Sequence, residues 1–114
     1  MAQKAQATIE WLTIPDLVDL LGLPVGRVRR LIEDNHLAAA RVDGVIKVPA
    51  SFIEDGAPMP ELHGTIVLLH DCGFKGDEVV EWLTSEEESL GVAPIDALKA
   101  GRKAEVRRIA QALL

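Results

Sequence analysis

A chain of 114 residues with 48% apolar side chains is long enough for one ordinary domain, or for two very small ones sharing a core. Aromatic residues supply only 4%, so the core must be aliphatic, with Trp11 and Trp82 as its anchors. A net charge of −6 argues against indiscriminate coating of nucleic acid, a single cysteine excludes an internal disulfide, and no apolar run approaches the ~18 residues that span a membrane.

The first ten residues, MAQKAQATIE, lack the apolar core of a signal peptide. The expectation is a soluble cytoplasmic protein. Both halves are acidic: residues 1–60 carry 6 basic and 8 acidic groups, and residues 61–114 carry 6 and 10. A local basic face is still compatible with that sum, because binding follows where charges lie.

Thr13 reads as a helix N-cap, answered by Asp16 three residues on, with Pro15 in the first turn. Ile14, Leu17, Val18 and Leu21 follow at helical spacing, and Gly22 stops the element. A second helix begins near Pro24, with Val25, Val28, Leu31 and Ile32 as its apolar stripe. Gly26 and Arg30 lie roughly opposite that stripe, flanked by Arg27 and Arg29. Taken alone, these arginines read as a solvated face before they read as a phosphate-binding one; the wing that follows reverses that order. A glycine costs about 1 kcal/mol inside a helix, but on the outward face it lets another surface approach the backbone.

Residues 37–48, LAAARVDGVIKV, then alternate like a strand pair around Asp43-Gly44, a dipeptide suited to the positive φ angles of a tight hairpin turn. Arg41 and Lys47 stand near that turn, placed either to grip phosphates or to protect a sheet edge. His36, between helix and hairpin, is read as a phosphate contact or a structural cap. Helix, turn, arginine-bearing helix and hairpin, in that order, make a winged helix-turn-helix.

The stretch Gly22-Leu23-Pro24-Val25-Gly26-Arg27-Val28-Arg29-Arg30 resembles the turn and recognition helix of MerR/excisionase-type proteins, "G-V-S-x-x-x-V-R-R", with Pro24 where that family has serine or threonine. Asn35 to Pro49 is similar to that family's wing. The resemblance implies that Arg27, Arg29 and Arg30 face the major groove of double-stranded DNA. It places Pro24 and Gly26 at the approach to the backbone, and Arg41 and Lys47 on phosphates or the minor groove.

Residues 54–61, EDGAPMPE, read as a linker, since two prolines, a glycine and three acids interrupt both periodicities. Beyond it, Leu62, Ile66 and Leu69 mark a helix closed near Gly73. Asp77 is placed to cap a further helix, with Glu78 in its first turn. Pro94 starts a short helix ending before Gly101, and Val106, Ile109, Ala110 and Leu113 share one face of the last. This half resembles the C-terminal region of Xre/MbcA/ParS-type antitoxins through Trp82-Leu83, Leu90-Gly91, Pro94-Ile95-Asp96-Ala97-Leu98, Gly101 and Val106. That resemblance implies a partner-binding or dimerising role, with Leu98, Val106, Ile109 and Leu113 as the contact residues. The same residues read equally as closing a core. The order of the two regions is similar to that of a group of small actinobacterial DNA-binding proteins.

His63, His70 and Cys72 lack the paired short spacings of a zinc site and read as surface or satisfied side chains. Cys72 reads as a structural thiol, and the serines have no nucleophile-elbow motif. No glycine-rich phosphate loop is present, and Glu86-Glu87-Glu88 reads as a solvated loop. No cofactor, metal or catalytic residue is expected.

The sequence therefore predicts a mainly α protein with one small β-hairpin. A winged helix-turn-helix spans residues 8–56 and a C-terminal helical region spans residues 61–114. The expected function is sequence-specific binding of double-stranded DNA by a nucleoid-associated regulator. The alternative is an antitoxin-like module that inhibits a partner through its C-terminal half.

Overall fold

The computed structural model describes residues 9–113. The expected start of the first domain at residue 8 lies outside them, as do the first eight residues of the stretch read for a signal peptide. The chain opens with a strand, β1 (Trp11–Thr13), which runs straight into helix α1 (Ile14–Leu21). Thr13 is both the last strand residue and the N-cap. Its hydroxyl accepts the Asp16 N–H at 3.2 Å, and the Asp16 carboxylate accepts the Thr13 N–H at 3.0 Å. Each interaction satisfies a donor that a helix start otherwise leaves bare. Gly22 ends α1 at φ +69°, its N–H donating to the Val18 carbonyl.

Helix α2 (Val25–Glu33) follows after the three-residue break Gly22-Leu23-Pro24. Val28 is fully buried, and Leu31 and Ile32 are half-buried. Val25 departs from the expected stripe, being 48% exposed. It lies at the stripe's edge, in the first turn of the helix. Strands β2 (Ala40–Val42) and β3 (Val45–Pro49) form the wing, with Asp43 at φ +52° and Gly44 at φ +79° in the turn.

The sheet is larger than the expected hairpin. β1 pairs antiparallel with the far edge of β3, giving the order β1-β3-β2, with Thr13 opposite Lys47 and Ala40 opposite Lys47 on the other side. Through β1, the first helix is tied to the wing.

Residues 54–61 are not a plain linker. Ile53–Glu54 (β4) pairs with Ala57–Pro58 (β5) around Asp55 and Gly56, both at positive φ. Phe52 and Met59, on either side of this small ribbon, are buried in the core. The Met59 N–H donates to the Phe52 carbonyl at 2.9 Å.

Four helices complete the chain: α3 (Leu62–Asp71), α4 (Gly76–Thr84), α5 (Pro94–Lys99) and α6 (Lys103–Gln111). α4 is capped at Lys75, two residues before the expected Asp77, and Glu78 closes its first turn by accepting the Lys75 N–H at 2.9 Å. α3 packs on α6, and α5 bridges α4 and α6. The Cys72 thiol donates to the Ala110 carbonyl at 3.4 Å, which pins α3 to α6. One continuous core runs from Ile14, Leu17, Val28 and Val48 through Phe52 and Met59 to Leu83, Leu98 and Val106.

Candidate nucleic-acid interface

α2 presents Arg27, Arg29 and Arg30 to solvent while Val28 anchors the helix beneath them. Among the described residues the one ion pair joins Arg102 to Glu105, so no carboxylate oxygen lies within 4.0 Å of the side-chain nitrogens of these three arginines, Arg41 or Lys47. Their charge is available to an outside partner. The first turn of α2 is equally open. Pro24 supplies its carbonyl to the Arg27 and Val28 N–H groups, but no side chain caps the helix and no acid stands in the first turn. A helix start of this kind favours an anion.

The wing residues divide. By the β2–β3 register, Arg41 pairs with Ile46 while Lys47 pairs with Ala40, so the two cations leave opposite faces of the sheet. Arg41 is exposed. Lys47 is half-buried beside the start of α1. The Thr13 hydrogen bonds hold the Asp16 carboxyl below the usual carboxylate range, and the nearby charge of Lys47 adds to this in smaller part. The register thus sends Arg41 and Lys47 to opposite faces of the wing.

His36 is exposed and stacks on His63 of α3, with ring centroids 4.3 Å apart and planes 18° from parallel. His63 Nδ1 lies 3.1 Å from the Asn35 carbonyl, which can only accept, so Nδ1 carries the proton. His70 Nδ1 meets the Phe74 carbonyl in the same way at 2.9 Å. His36 thus belongs to the seam between the two halves.

That seam has a second part that sequence reasoning missed. The outer edge of β2 would expose a free donor at Arg41, and Asp77 of α4 accepts that backbone N–H at 3.2 Å. Glu78 caps α4, which leaves Asp77 free for this. Gly76 makes the approach possible, because a Cβ there would come within 3.1 Å of the Ala39 carbonyl. The partner stripe expected in the second half mostly faces inward. Leu98 and Val106 are core residues, Ile109 is half-buried, and Leu113 lies beyond the end of α6 and is 42% exposed. Spacing shows which side of a helix is apolar but not what covers it.

Comparison with known proteins places this arrangement. The chain is 33% identical over 113 residues to DNA-binding protein Rv2175c of Mycobacterium tuberculosis, an alignment covering 88% of this chain and 77% of that protein. The chain belongs to the Rv2175c family. Residues 3–53 match the winged helix-turn-helix domain of DNA-binding protein Rv2175c, and residues 59–114 match the Rv2175c C-terminal domain of unknown function. The NMR structure of Rv2175c superposes with a TM-score of 0.84 at 30% identity, covering 98% of this chain and 86% of that one. The Rv2175c fold thus carries the expected winged helix-turn-helix. The two family matches meet across the β4–β5 ribbon.

Proposed function

We propose that this protein binds duplex DNA through α2 and the wing, and that it acts in the cytoplasm as a nucleoid-associated transcriptional regulator. The observation that carries the reading is the set of three exposed, unpaired arginines on the second helix of a winged helix-turn-helix. In such motifs the second helix enters the major groove. Arg27 and Arg30 take guanine edges, where the planar guanidinium can bond twice, and Arg29 takes phosphate. The uncapped turn at Pro24 and Gly26 approaches the backbone. Arg41 grips a flanking phosphate from the wing, and Lys47 supports the start of α1. The described DNA-binding character of the family's winged domain supports this assignment.

The negative total charge does not oppose it. The acidic excess lies mainly after residue 60, so repulsion from the second half orients the protein with α2 toward DNA. A single wing makes few base contacts, so a second copy or a repeated site supplies the remaining affinity. The test is a titration of duplex DNA at two salt concentrations. Affinity falls with a log–log slope of roughly −0.9 per phosphate neutralised. Salt-indifferent binding, or none at low salt, refutes the reading.

A further inference from the structure

β2 is an outer strand of its sheet, and α4 packs against it. The N–H groups of an edge strand point alternately toward its neighbour and away. That of Arg41 goes outward to Asp77, so those of Ala40 and Val42 turn toward β3. Arg41 thus holds the one outward donor of this three-residue strand, and a single carboxylate meets it. Asp77 is not needed at the start of its own helix, because Glu78 accepts the Lys75 N–H there. Nor does Asp77 neutralise Arg41. It takes the backbone N–H, while the Arg41 side chain is in no ion pair among the described residues. Gly76 sets the reach, since a Cβ 3.1 Å from the Ala39 carbonyl would press α4 away from the strand.

A carboxylate on a surface that meets phosphate costs affinity through repulsion. Charge therefore gives no reason for an acid beside the wing, and the hydrogen bond does. We propose that Asp77 is a positioning residue for DNA binding: it fixes the Arg41 backbone, leaves the guanidinium free and so aims that side chain at a phosphate. The proposal rests on the DNA-binding reading above. It gives a part in that reading to the region that matches a domain of unknown function.

The test uses the full chain and compares two substitutions that remove the same charge. Asp77→Ala loses the acceptor, and Asp77→Asn keeps one in its amide carbonyl. Asp77 is exposed, so both variants retain the core, and a thermal melt verifies this. Amide exchange at Arg41 should quicken in Asp77→Ala and not in Asp77→Asn. The duplex is one that wild type enriches from a random pool, titrated at low salt. Asp77→Ala should bind it roughly threefold more weakly than Asp77→Asn, within the worth of one hydrogen bond. In an Arg41→Ala background the two should bind alike, because the side chain they position is gone. Equal affinities with Arg41 present, or unchanged Arg41 exchange in Asp77→Ala, overturn the proposal. So does a deficit that persists without Arg41, which would mark Asp77 as a support of the fold alone. In each of these cases wild-type binding stands. If wild type enriches no duplex, the DNA-binding reading fails and the role of Asp77 fails with it.

Discussion

Helices α2 and α6 have nearly the same sequence pattern and different environments. Each is nine residues long. Val28-Arg29-Arg30-Leu31 in one matches Val106-Arg107-Arg108-Ile109 in the other, with the valine fully buried and both arginines exposed in each case. The difference that changes charge and helix propensity most is in the first turn. α2 begins Val25-Gly26-Arg27, whereas α6 begins Lys103-Ala104-Glu105, and Glu105 holds Arg102 through two 3.0 Å bonds. α6 follows the rules of helix stability, with a good helix former and an acid near its N-terminus. α2 reverses the charge and substitutes the weakest ordinary helix former. Exposed arginines alone do not make an interface. The wing beside α2 and the bare first turn separate it from its counterpart.

The largest effect should treat the two helices alike. Val28→Ala and Val106→Ala each remove two methyl groups from the same core, and each should cost about 2–3 kcal/mol in chemical denaturation. A loss at Val28 alone would mean that the C-terminal helices contribute little to the common core. The next effect should separate them. Arg27→Ala or Arg30→Ala should flatten preference among DNA sites by about 1–3 kcal/mol each, measured by competition between related duplexes. Arg107→Ala and Arg108→Ala should leave those preferences unchanged.

A smaller change sharpens the contrast by moving two properties in opposite directions. Gly26→Ala gives α2 the residue that α6 has at this place. Its Cβ meets open space, so the protein should gain about 0.5–1 kcal/mol of stability while DNA affinity falls. Parallel changes in melting temperature and affinity would show that the glycine serves folding and not approach.

The smallest effect concerns acid. The Arg102 side-chain bonds hold Glu105 below the usual carboxylate range, and the neighbouring charges of Arg102 and Arg108 add to it. A depressed carboxyl contributes stability that is present above its unfolded pKa, about 4.3 for glutamate, and lost as pH falls through the folded value. The stability gap between wild type and Glu105→Gln should therefore narrow on acidification. Pair exposure and solvent screening keep the gap small. No such pair links the α2 arginines, so Arg27→Gln should show no matching acid dependence of stability.

Much of the first half was legible in the sequence. Thr13, Asp16 and Gly22 bound α1 through local chemistry, and Asp43-Gly44 states its turn type in two residues. β1 was not legible, because three residues with no alternation become a strand only when β3 offers an edge. Asp55-Gly56 carries the same positive-φ signal as Asp43-Gly44, but Pro58 and Pro60 disguise the short ribbon that it closes. The position of Val25 was misjudged because helical phase does not record where a neighbouring helix ends. The basic residues of α2 could be placed on one face from spacing alone. The division of Arg41 from Lys47 needed the strand register, and the role of Asp77 needed the packing of α4.

Asp77 on the Arg41 backbone and Gly76 beneath Ala39 brace the wing from its outer side. A free two-stranded hairpin is barely stable in water, and one that orders only on contact adds the entropy of that ordering to the cost of association. Here the cost falls on folding, before any ligand arrives. The C-terminal helices thus set how ordered the wing is before any partner arrives. Loosening the brace would appear calorimetrically as a more unfavourable binding entropy, with every side chain of the interface still in place.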